Sequence, residues 1–289
     1  MNYSCHSCGK ASRESEAYER IEAGGETYLF CCPMCQSAFS AGNVHTRRMV
    51  LQAFSDDRAS VYVEYLPALQ VGGDYTCIRA VGEDKLYVIF ADISGHGIAS
   101  SLVMSRVGAE TERLVQSGQD LAAIAEALNR LMSSSAGGDL YLTLFGAEID
   151  FPAQTITYVN CGHPAQLLWS QKLQQSTLLQ SEHIPVGMFD AETFGTPPKI
   201  TRDIHAGDKL MLFTDGMLEL RLEDGREFGQ DGLIKVFREL VKASTEEARR
   251  LIIEQLKASQ TERLEDDMLL VFVDITGSSS VRCGREGSI

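Results

Sequence analysis

Segments with the composition of β-strands follow one another in groups along this chain of 289 residues, and helix-like segments form separate blocks between them. Strands are expected near 61–65, 75–80, 85–91, 140–149, 154–159, 166–169, 209–213 and 268–273. A parallel sheet needs a crossover, usually a helix, between consecutive strands, and this order does not provide one. The pattern therefore predicts an α+β fold in which antiparallel sheets carry helices on their outer faces.

The acidic composition argues against several classes of function. The chain has 40 Asp and Glu residues against 26 Lys and Arg, a formal net charge of −14, which disfavours nucleic acid and anionic membranes as partners. No apolar run reaches the length of about 20 residues that a transmembrane helix needs, and the N-terminus lacks the features of a signal peptide. We therefore expect a cytoplasmic protein with no nucleic-acid or membrane partner.

The distribution of cysteine, glycine and apolar residues divides the chain into four parts. Residues 1–42 are rich in cysteine and have too few apolar residues for a core of their own. Residues 43–59 are predicted to form a helical connector, and residues 60–275 a single larger domain. The tail, 276–289, is rich in Gly and Ser and is expected to be disordered.

Five of the eight cysteines lie in the first part of the chain, at Cys5, Cys8, Cys31, Cys32 and Cys35. In a reducing compartment such a cluster indicates metal ligands rather than disulfides. The pairs Cys5–Cys8 and Cys32–Cys35 offer four thiolates, which suit one tetrahedral Zn²⁺, and Cys31 is an alternative to Cys32. Zinc binding would supply the folding energy of this unit. A structural role for the zinc and a sensory one both remain open.

Acidic residues at the ends of apolar strand-like segments form the second candidate metal site. They are Asp74 after Gly72-Gly73, Asp92 before Ser94-Gly95-His96-Gly97, Asp215 before Gly216, and Asp266-Asp267 before the last strand. One such residue alone usually belongs to a turn or a cap. Strands can aim several carboxylates at one point, and like charges held together need a cation. Oxygen ligands favour Mg²⁺ or Mn²⁺, and a pair of such ions can activate water against a phosphoryl group.

These segments, in this order, resemble the motifs of a known family. The segments are 71–75 (VGGDY), 91–97 (ADISGHG), 160–164 (NCGHP), 213–216 (FTDG) and 266–267 (DD). They resemble the PPM superfamily and, more narrowly, its SpoIIE branch of bacterial serine/threonine phosphatases. The resemblance covers roughly residues 60–275. It implies an α-β-β-α sandwich, in which two packed antiparallel sheets are flanked by helices and hold the metals at one edge.

The resemblance also implies roles for individual residues. Asp92 would bridge two Mn²⁺ or Mg²⁺ ions, and the carbonyl of Ile93 would bind one of them. Asp215 and Asp266 would hold the second ion, and Asp74 would act on the first, directly or through water. A metal-bridging hydroxide would then hydrolyse phosphoserine or phosphothreonine on a protein. Asp74, Asp92, Asp215 and Asp266 are therefore the predicted catalytic and metal-binding residues.

Other residues near these motifs have more than one interpretation. His96 and His163 are candidate general acids. The favoured interpretation in such loops is that each histidine is structural and forms hydrogen bonds with the backbone. Asp267 is a further candidate beside the predicted ligands. The pattern also departs from the family, with Cys77 in place of a second Asp and Leu269 in place of a Thr. A third departure is Cys161, which replaces an Ala of the family.

The resemblance further suggests partners and regulation. The substrate would be a phosphorylated protein of the STAS type, an anti-sigma-factor antagonist, and an activator protein and a homodimer are further options. Segments 5–9 and 28–35 resemble the treble-clef-like knuckles of the TRASH and YHS type, so the zinc unit is a candidate regulator. Two alternatives remain, because of the departures at Cys77 and Leu269: a catalytically silent regulator that binds a phosphoprotein, and a metal-responsive adaptor.

Overall fold

The fold is described from a computed structural model. It describes residues 2–4, 11–13, 19–23, 26–30, 49–66, 73–95, 98–135, 140–219, 227–242 and 267–277. Near the N-terminus, two antiparallel hairpins precede the main domain. The first pairs β1 (Asn2–Ser4) with β2 (Ala11–Arg13), and the second pairs β3 (Glu19–Ala23) with β4 (Glu26–Phe30).

The first layer of the main domain is a five-stranded antiparallel sheet. Its strands, in chain order, are β7 (Asp74–Val81), β8 (Lys85–Ile93), β9 (Leu142–Asp150), β10 (Thr155–Cys161) and β13 (Ile200–Asp203). The spatial order is β13-β10-β9-β8-β7, so β7 forms one edge. The residues Gly82-Glu83-Asp84 are typical of a tight turn, and a turn at 82–84 does join β7 to β8. Gly82 there has a φ of 65°, which favours glycine.

The second layer is a six-stranded antiparallel sheet. Its strands are β5 (Met49–Ser55), β6 (Ala59–Leu66), β11 (Gln166–Ser170), β12 (Gln175–Leu179), β14 (Lys209–Phe213) and β15 (Met268–Ile275). The spatial order is β12-β11-β14-β15-β6-β5. Every residue of β14 and β15 is buried, because both strands lie inside the sheet with both faces covered.

Helices cover the outer faces of the two sheets. They are α1 (Ile98–Gln116), α2 (Leu121–Ser135), the single turn α3 (Ala191–Phe194) and α4 (Gly229–Leu240), with a 3₁₀ turn at Asp215–Met217. Residues of α1 and α2 share a buried apolar cluster with the five-stranded sheet, and α4 shares one with the six-stranded sheet. A third cluster fills the space between the sheets. The predicted four-layer α-β-β-α arrangement is thus confirmed.

The predicted helical connector over 43–59 is wrong in its described part. Residues 49–55 form β5, which pairs with β6 through a register shift between Gln52 and Phe54. The apolar positions in this segment fit a helix or a strand when taken alone, and pairing with β6 decides between them. The six-stranded sheet therefore begins at residue 49 rather than at the predicted boundary of 60.

Other sequence expectations fall partly or wholly outside the described residues. The apolar spacing at 232–242 and at 245–257 predicts two helices. The first is observed as α4, whereas the second lies outside the described part of the chain. The same holds for 278–289 of the predicted disordered tail. Of the helices that the structure describes, none combines the length and the apolar character needed to cross a bilayer.

Candidate metal centre

Two of the predicted ligands lie side by side on neighbouring strands. Asp74 is the first residue of β7, Asp92 is the penultimate residue of β8, and the two are direct partners in the antiparallel register. Side chains of directly opposed residues point to the same face of a sheet. On the other side, Asp92 is paired with Thr143 of β9. The edge of the five-stranded sheet thus holds two carboxylates in adjacent positions.

Close packing explains why a glycine, Gly73, precedes Asp74. A Cβ atom at Gly73 would lie 3.1 Å from Cγ2 of Ile93, which is closer than most such contacts, and 3.5 Å from the carbonyl oxygen of Ile93, an ordinary contact distance. The backbone at Gly73 therefore lies against Ile93, the residue that follows Asp92. This close approach brings the Ile93 carbonyl, a predicted metal ligand, into the same small region as the two carboxylates.

The third carboxylate comes from the opposite sheet. β14 ends at Phe213, and Asp215 begins the 3₁₀ turn two residues later. The backbone carbonyl of Asp215 accepts bonds from the N–H groups of Leu218 and Glu219, at 2.7 and 3.0 Å. This turn fixes the backbone that carries Asp215.

Thr214, between β14 and Asp215, links the two sheets through its side chain. Its hydroxyl donates to Oδ2 of Asp74 at 2.9 Å and accepts from the backbone N–H of Leu269 at 3.0 Å. Thr214 is fully buried. The sequence analysis did not select this residue, although it stands inside the FTDG motif.

Asp267 makes a second link between the sheets. Its Oδ2 accepts a hydrogen bond from the backbone N–H of Gly73 at 2.8 Å, and the residue is buried. Asp266, the predicted ligand next to it, lies outside the described residues. The structure therefore gives Asp267 a contact that positions Gly73, the residue before Asp74, which the sequence alone did not reveal.

The carboxylates of this edge disturb one another electrostatically. The pKa of Asp74 is well above its usual range, first because the group is buried, and then because Asp92 and Asp267 are negatively charged. Asp215 acts in the same direction, and the hydrogen bond from Thr214 opposes it. A partly buried cluster of carboxylates is an arrangement that a hard divalent cation stabilises.

Among the described residues, no three His, Cys, Asp or Glu side chains meet the geometry of a complete metal cage. The predicted ligand set also contains Asp266, outside those residues, and a backbone carbonyl. The described carboxylates fit a divalent ion by charge and by donor chemistry, and they supply part of such a set.

Comparison with known proteins assigns the family. A family model described as Stage II sporulation protein E (SpoIIE) matches residues 82–276. The chain belongs to the SpoIIE family. The phosphoserine phosphatase RsbU of Bacillus subtilis is 25% identical over 234 residues, which cover 80% of this chain and 68% of RsbU. The SpoIIE-family resemblance predicted from the ordered motifs is therefore confirmed.

Solved structures share the SpoIIE-family fold. The PP2C phosphatase domain of SpoIIE from Bacillus subtilis, with a fragment of its regulatory domain, aligns with a TM-score of 0.63 and 22% identity. That alignment covers 76% of this chain and 64% of the other. The structure of RsbX in complex with magnesium aligns with a TM-score of 0.59 and 19% identity, over 79% of this chain and 100% of RsbX. At sequence identities of 22% and 19%, this structural similarity establishes that the fold is shared.

The departures from the SpoIIE-family pattern lie away from the candidate centre or in its supports. Cys77 is buried in the cluster between the five-stranded sheet and the helices, on the opposite face of β7 from Asp74. Burial raises the pKa of its thiol to about 11. An acid at this position would point towards the helices, so its loss removes no carboxylate from the face that carries Asp74.

The other two departures are also core residues. Cys161 is fully buried in the helix-side cluster, and burial raises the pKa of its thiol to about 12. Leu269 packs between the sheets, and its backbone N–H donates to the hydroxyl of Thr214. The Thr214 hydroxyl thus occupies the neighbourhood of the threonine that the family pattern carries at position 269.

His163 of the SpoIIE-family NCGHP segment is a structural bridge between the sheets. Its Nδ1 lies 2.7 Å from Oγ1 of Thr143 in β9, and its Nε2 lies 3.1 Å from the carbonyl oxygen of Phe213 in β14. Since a carbonyl only accepts, Nε2 carries the proton and Nδ1 accepts from the threonine hydroxyl. Burial lowers the pKa of His163 to about 4.

These contacts assign His163 to the architecture rather than to proton transfer, as the favoured sequence interpretation predicts. At neutral pH the imidazole is uncharged, and both ring nitrogens are engaged with protein groups. A general acid needs a proton to give at the working pH. His96, the other candidate acid, lies outside the described residues.

Gln166 is a second support that sequence reasoning missed. Its side chain accepts from the N–H of Phe213 at 2.7 Å and donates to the carbonyl of the same residue at 3.1 Å. Gln166 is fully buried. The side chain therefore holds the last residue of β14, next to Thr214 and Asp215, as a neighbouring strand would.

The predicted zinc ligands of the N-terminal part, Cys5, Cys8, Cys31, Cys32 and Cys35, lie outside the described residues. The described hairpins stand directly beside them in the chain. Cys5 and Cys8 fall in the six-residue connection between β1 and β2, and the other three follow β4.

Proposed function

We propose that this chain is a metal-dependent phosphatase that removes phosphate from serine or threonine on a protein. The observation that carries the proposal is the meeting of Asp74, Asp92, Asp215 and Asp267 at one edge of two sheets, where they raise the pKa of Asp74. Like charges held close together destabilise a fold unless a cation joins them.

Membership of the SpoIIE family supports this activity. RsbU, which shares 25% identity, carries the name phosphoserine phosphatase. The matched region includes the Asp92, Asp215 and Asp266 segments of this chain. The loss of an acid at position 77, which motivated a catalytically silent alternative, leaves the face that carries Asp74 intact.

Two divalent ions, Mn²⁺ or Mg²⁺, are the proposed cofactors. Asp74, Asp92, Asp215, Asp266 and the carbonyl of Ile93 would hold them. When bound, these ions would activate a water molecule and neutralise the charge that develops on the phosphoryl group.

The chain's own residues hold the carboxylates in position and place them in surroundings of low dielectric constant. Asp74 and Asp92 are fixed by strand pairing, and the Thr214 hydroxyl orients Asp74 from the opposite sheet. Asp215 stands on a hydrogen-bonded 3₁₀ turn. Preorganised groups of this kind stabilise developing charge without reorganisation during the reaction.

A phosphorylated STAS-type protein, an anti-sigma-factor antagonist, is the proposed substrate class, with an activator protein and a homodimer as further proposals. The name of RsbU, phosphoserine phosphatase, supports phosphoserine as the group on which this chain acts. The N-terminal part is proposed to bind one Zn²⁺ through Cys5, Cys8, Cys35 and either Cys32 or Cys31. Metal analysis of the purified chain should then find one tightly bound zinc.

Hydrolysis of an aryl phosphate and of a phosphoserine protein tests the proposed activity. Turnover should require added Mn²⁺ or Mg²⁺, stop with a chelator, and be lost in Asp92→Asn, because the amide removes the shared negative charge. Thermal unfolding of the variant without metal controls for folding. Wild-type protein that neither binds Mn²⁺ in calorimetry nor hydrolyses either substrate would refute the proposal.

A further inference from the structure

The position of Asp74 is set from the opposite sheet. Asp74 lies at the edge of the five-stranded sheet, and Thr214 follows β14 of the six-stranded sheet, 140 positions along the chain. The 2.9 Å bond between them crosses from one layer of the sandwich to the other. A carboxylate at a strand end otherwise has freedom to rotate about its side-chain torsions.

The direction of the hydrogen bonds at Thr214 is determined by its neighbours. The hydroxyl oxygen accepts the N–H of Leu269 at 3.0 Å, so its single proton goes to an acceptor. Two acceptors are near, Oδ2 of Asp74 at 2.9 Å and the carbonyl of Asp267 at 3.5 Å. The shorter contact, which also involves a carboxylate, takes the proton.

The residue itself is held firmly. Thr214 is fully buried, so water does not compete for its hydroxyl. Its backbone N–H donates to the carbonyl of Leu269 at 3.0 Å, which adds a second bond to the same strand that supplies the side-chain donor. A β-branched side chain in extended backbone also has few rotamers. Thr214 therefore holds a fixed position between the last residue of β14 and the start of β15.

We infer that Thr214 is a positioning residue for metal binding, which orients the carboxylate of Asp74 relative to Asp215 and to the end of β15. The inference rests on the proposed function, since it concerns the same centre. Thr214 touches none of the reacting atoms and acts through Asp74. The hydrogen bond that Asp267 accepts from the N–H of Gly73 also holds the residue before Asp74 to the start of β15.

The test compares three variants by Mn²⁺ calorimetry and by Mn²⁺ titration of aryl phosphate turnover. Thr214→Val keeps the shape but removes the hydroxyl, and Thr214→Ser keeps the hydroxyl. Thr111→Val is the matched control, because Thr111 is also fully buried and its hydroxyl donates to the carbonyl of Val107 at 2.8 Å, within α1. Each variant's melting temperature without metal records the structural cost.

Thr214→Val should weaken Mn²⁺ binding at least about tenfold, the scale of one lost hydrogen bond to a charged group. Thr214→Ser should stay within about threefold of wild type, and Thr111→Val should lower the melting temperature while leaving Mn²⁺ affinity unchanged. Should Thr214→Val fail to fold, Thr214→Ala, which adds no second methyl group beside Asp74, replaces it.

Equal Mn²⁺ affinity in wild type and in folded Thr214→Val or Thr214→Ala would overturn the positioning role. So would an equal loss of affinity in Thr111→Val, which would show that general stability governs metal binding. In both cases the wild-type protein would still be active, and this activity distinguishes failure of the positioning role from failure of the proposed function. A wild type that binds no Mn²⁺ would overturn both.

Discussion

Replacing His163 by Gln should make the protein less sensitive to acid. His163 is 2% exposed and joins Thr143 to Phe213 across the two sheets. Glutamine can donate to the carbonyl and accept from the hydroxyl, but it does not titrate. The substitution thus removes the ionisable group while it preserves hydrogen-bonding capacity.

The magnitude follows from the pKa of the buried imidazole. Burial lowers the pKa of His163 to about 4 in the folded protein, and an unfolded chain has a histidine pKa of about 6.5. The unfolded state therefore binds the proton first as the pH falls below about 6.5, and folded stability is lost until the pH reaches about 4. The difference corresponds to about 3 kcal/mol.

Urea unfolding at pH 7.5 and at pH 4 measures this effect, with fluorescence of Trp169 as the signal. Trp169 is the chain's single tryptophan and is 8% exposed, so unfolding changes its surroundings. Between the two pH values, wild type should lose about 3 kcal/mol more free energy of unfolding than His163→Gln. The carboxylates contribute equally to both proteins and cancel in the comparison.

The same pH dependence in both proteins would refute the reasoning, because it would show that His163 does not resist protonation in the fold. A variant that keeps the wild-type alkaline limb of its pH–rate profile would support the structural assignment. Loss of that limb on substitution would instead identify the imidazole as a proton donor, because a general acid stops working as the pH rises above its pKa.

Two further predictions concern the centre and its supporting helix. Asp74→Asn should raise the melting temperature in the presence of chelator, because the raised pKa of Asp74 means that ionising this carboxyl group opposes folding; a lower melting temperature would contradict this. Gly108→Ala should cost about 1–3 kcal/mol of unfolding free energy, since its Cβ would lie 2.7 Å from Cε2 of Tyr75. The double variant with Tyr75→Leu should recover part of that loss, and strictly additive effects would exclude the clash.

Local pattern was sufficient to predict most of the strands. The alternating and apolar segments near 85–91, 209–213 and 268–273 appear as β8, β14 and β15. The predicted helix over 43–59 is wrong for its described residues 49–55, which form β5, because a short run with few apolar residues fits both the helical and the strand period. Its strand character comes from pairing with β6, which is a tertiary interaction.

The candidate ligands were easier to find than their supports. Asp74, Asp92 and Asp215 each stand beside a local signal, a glycine at a strand end. Thr214 and Gln166 have no such signal, because their functions depend on partners 140 and 47 positions away. Hydrogen bonds of this range follow from the packing of the sheets and cannot be read from local spacing.

The place of β15 in the six-stranded sheet has a consequence for synthesis of the chain. β15 lies between β14 and β6, so the sheet stays split until the last described strand inserts. Gly73 and Asp267, 194 positions apart, meet only after that step. Contacts of such long range are slow to form and leave strand edges open meanwhile. A nascent chain released before residue 275 would thus be prone to aggregate and could not assemble the metal centre.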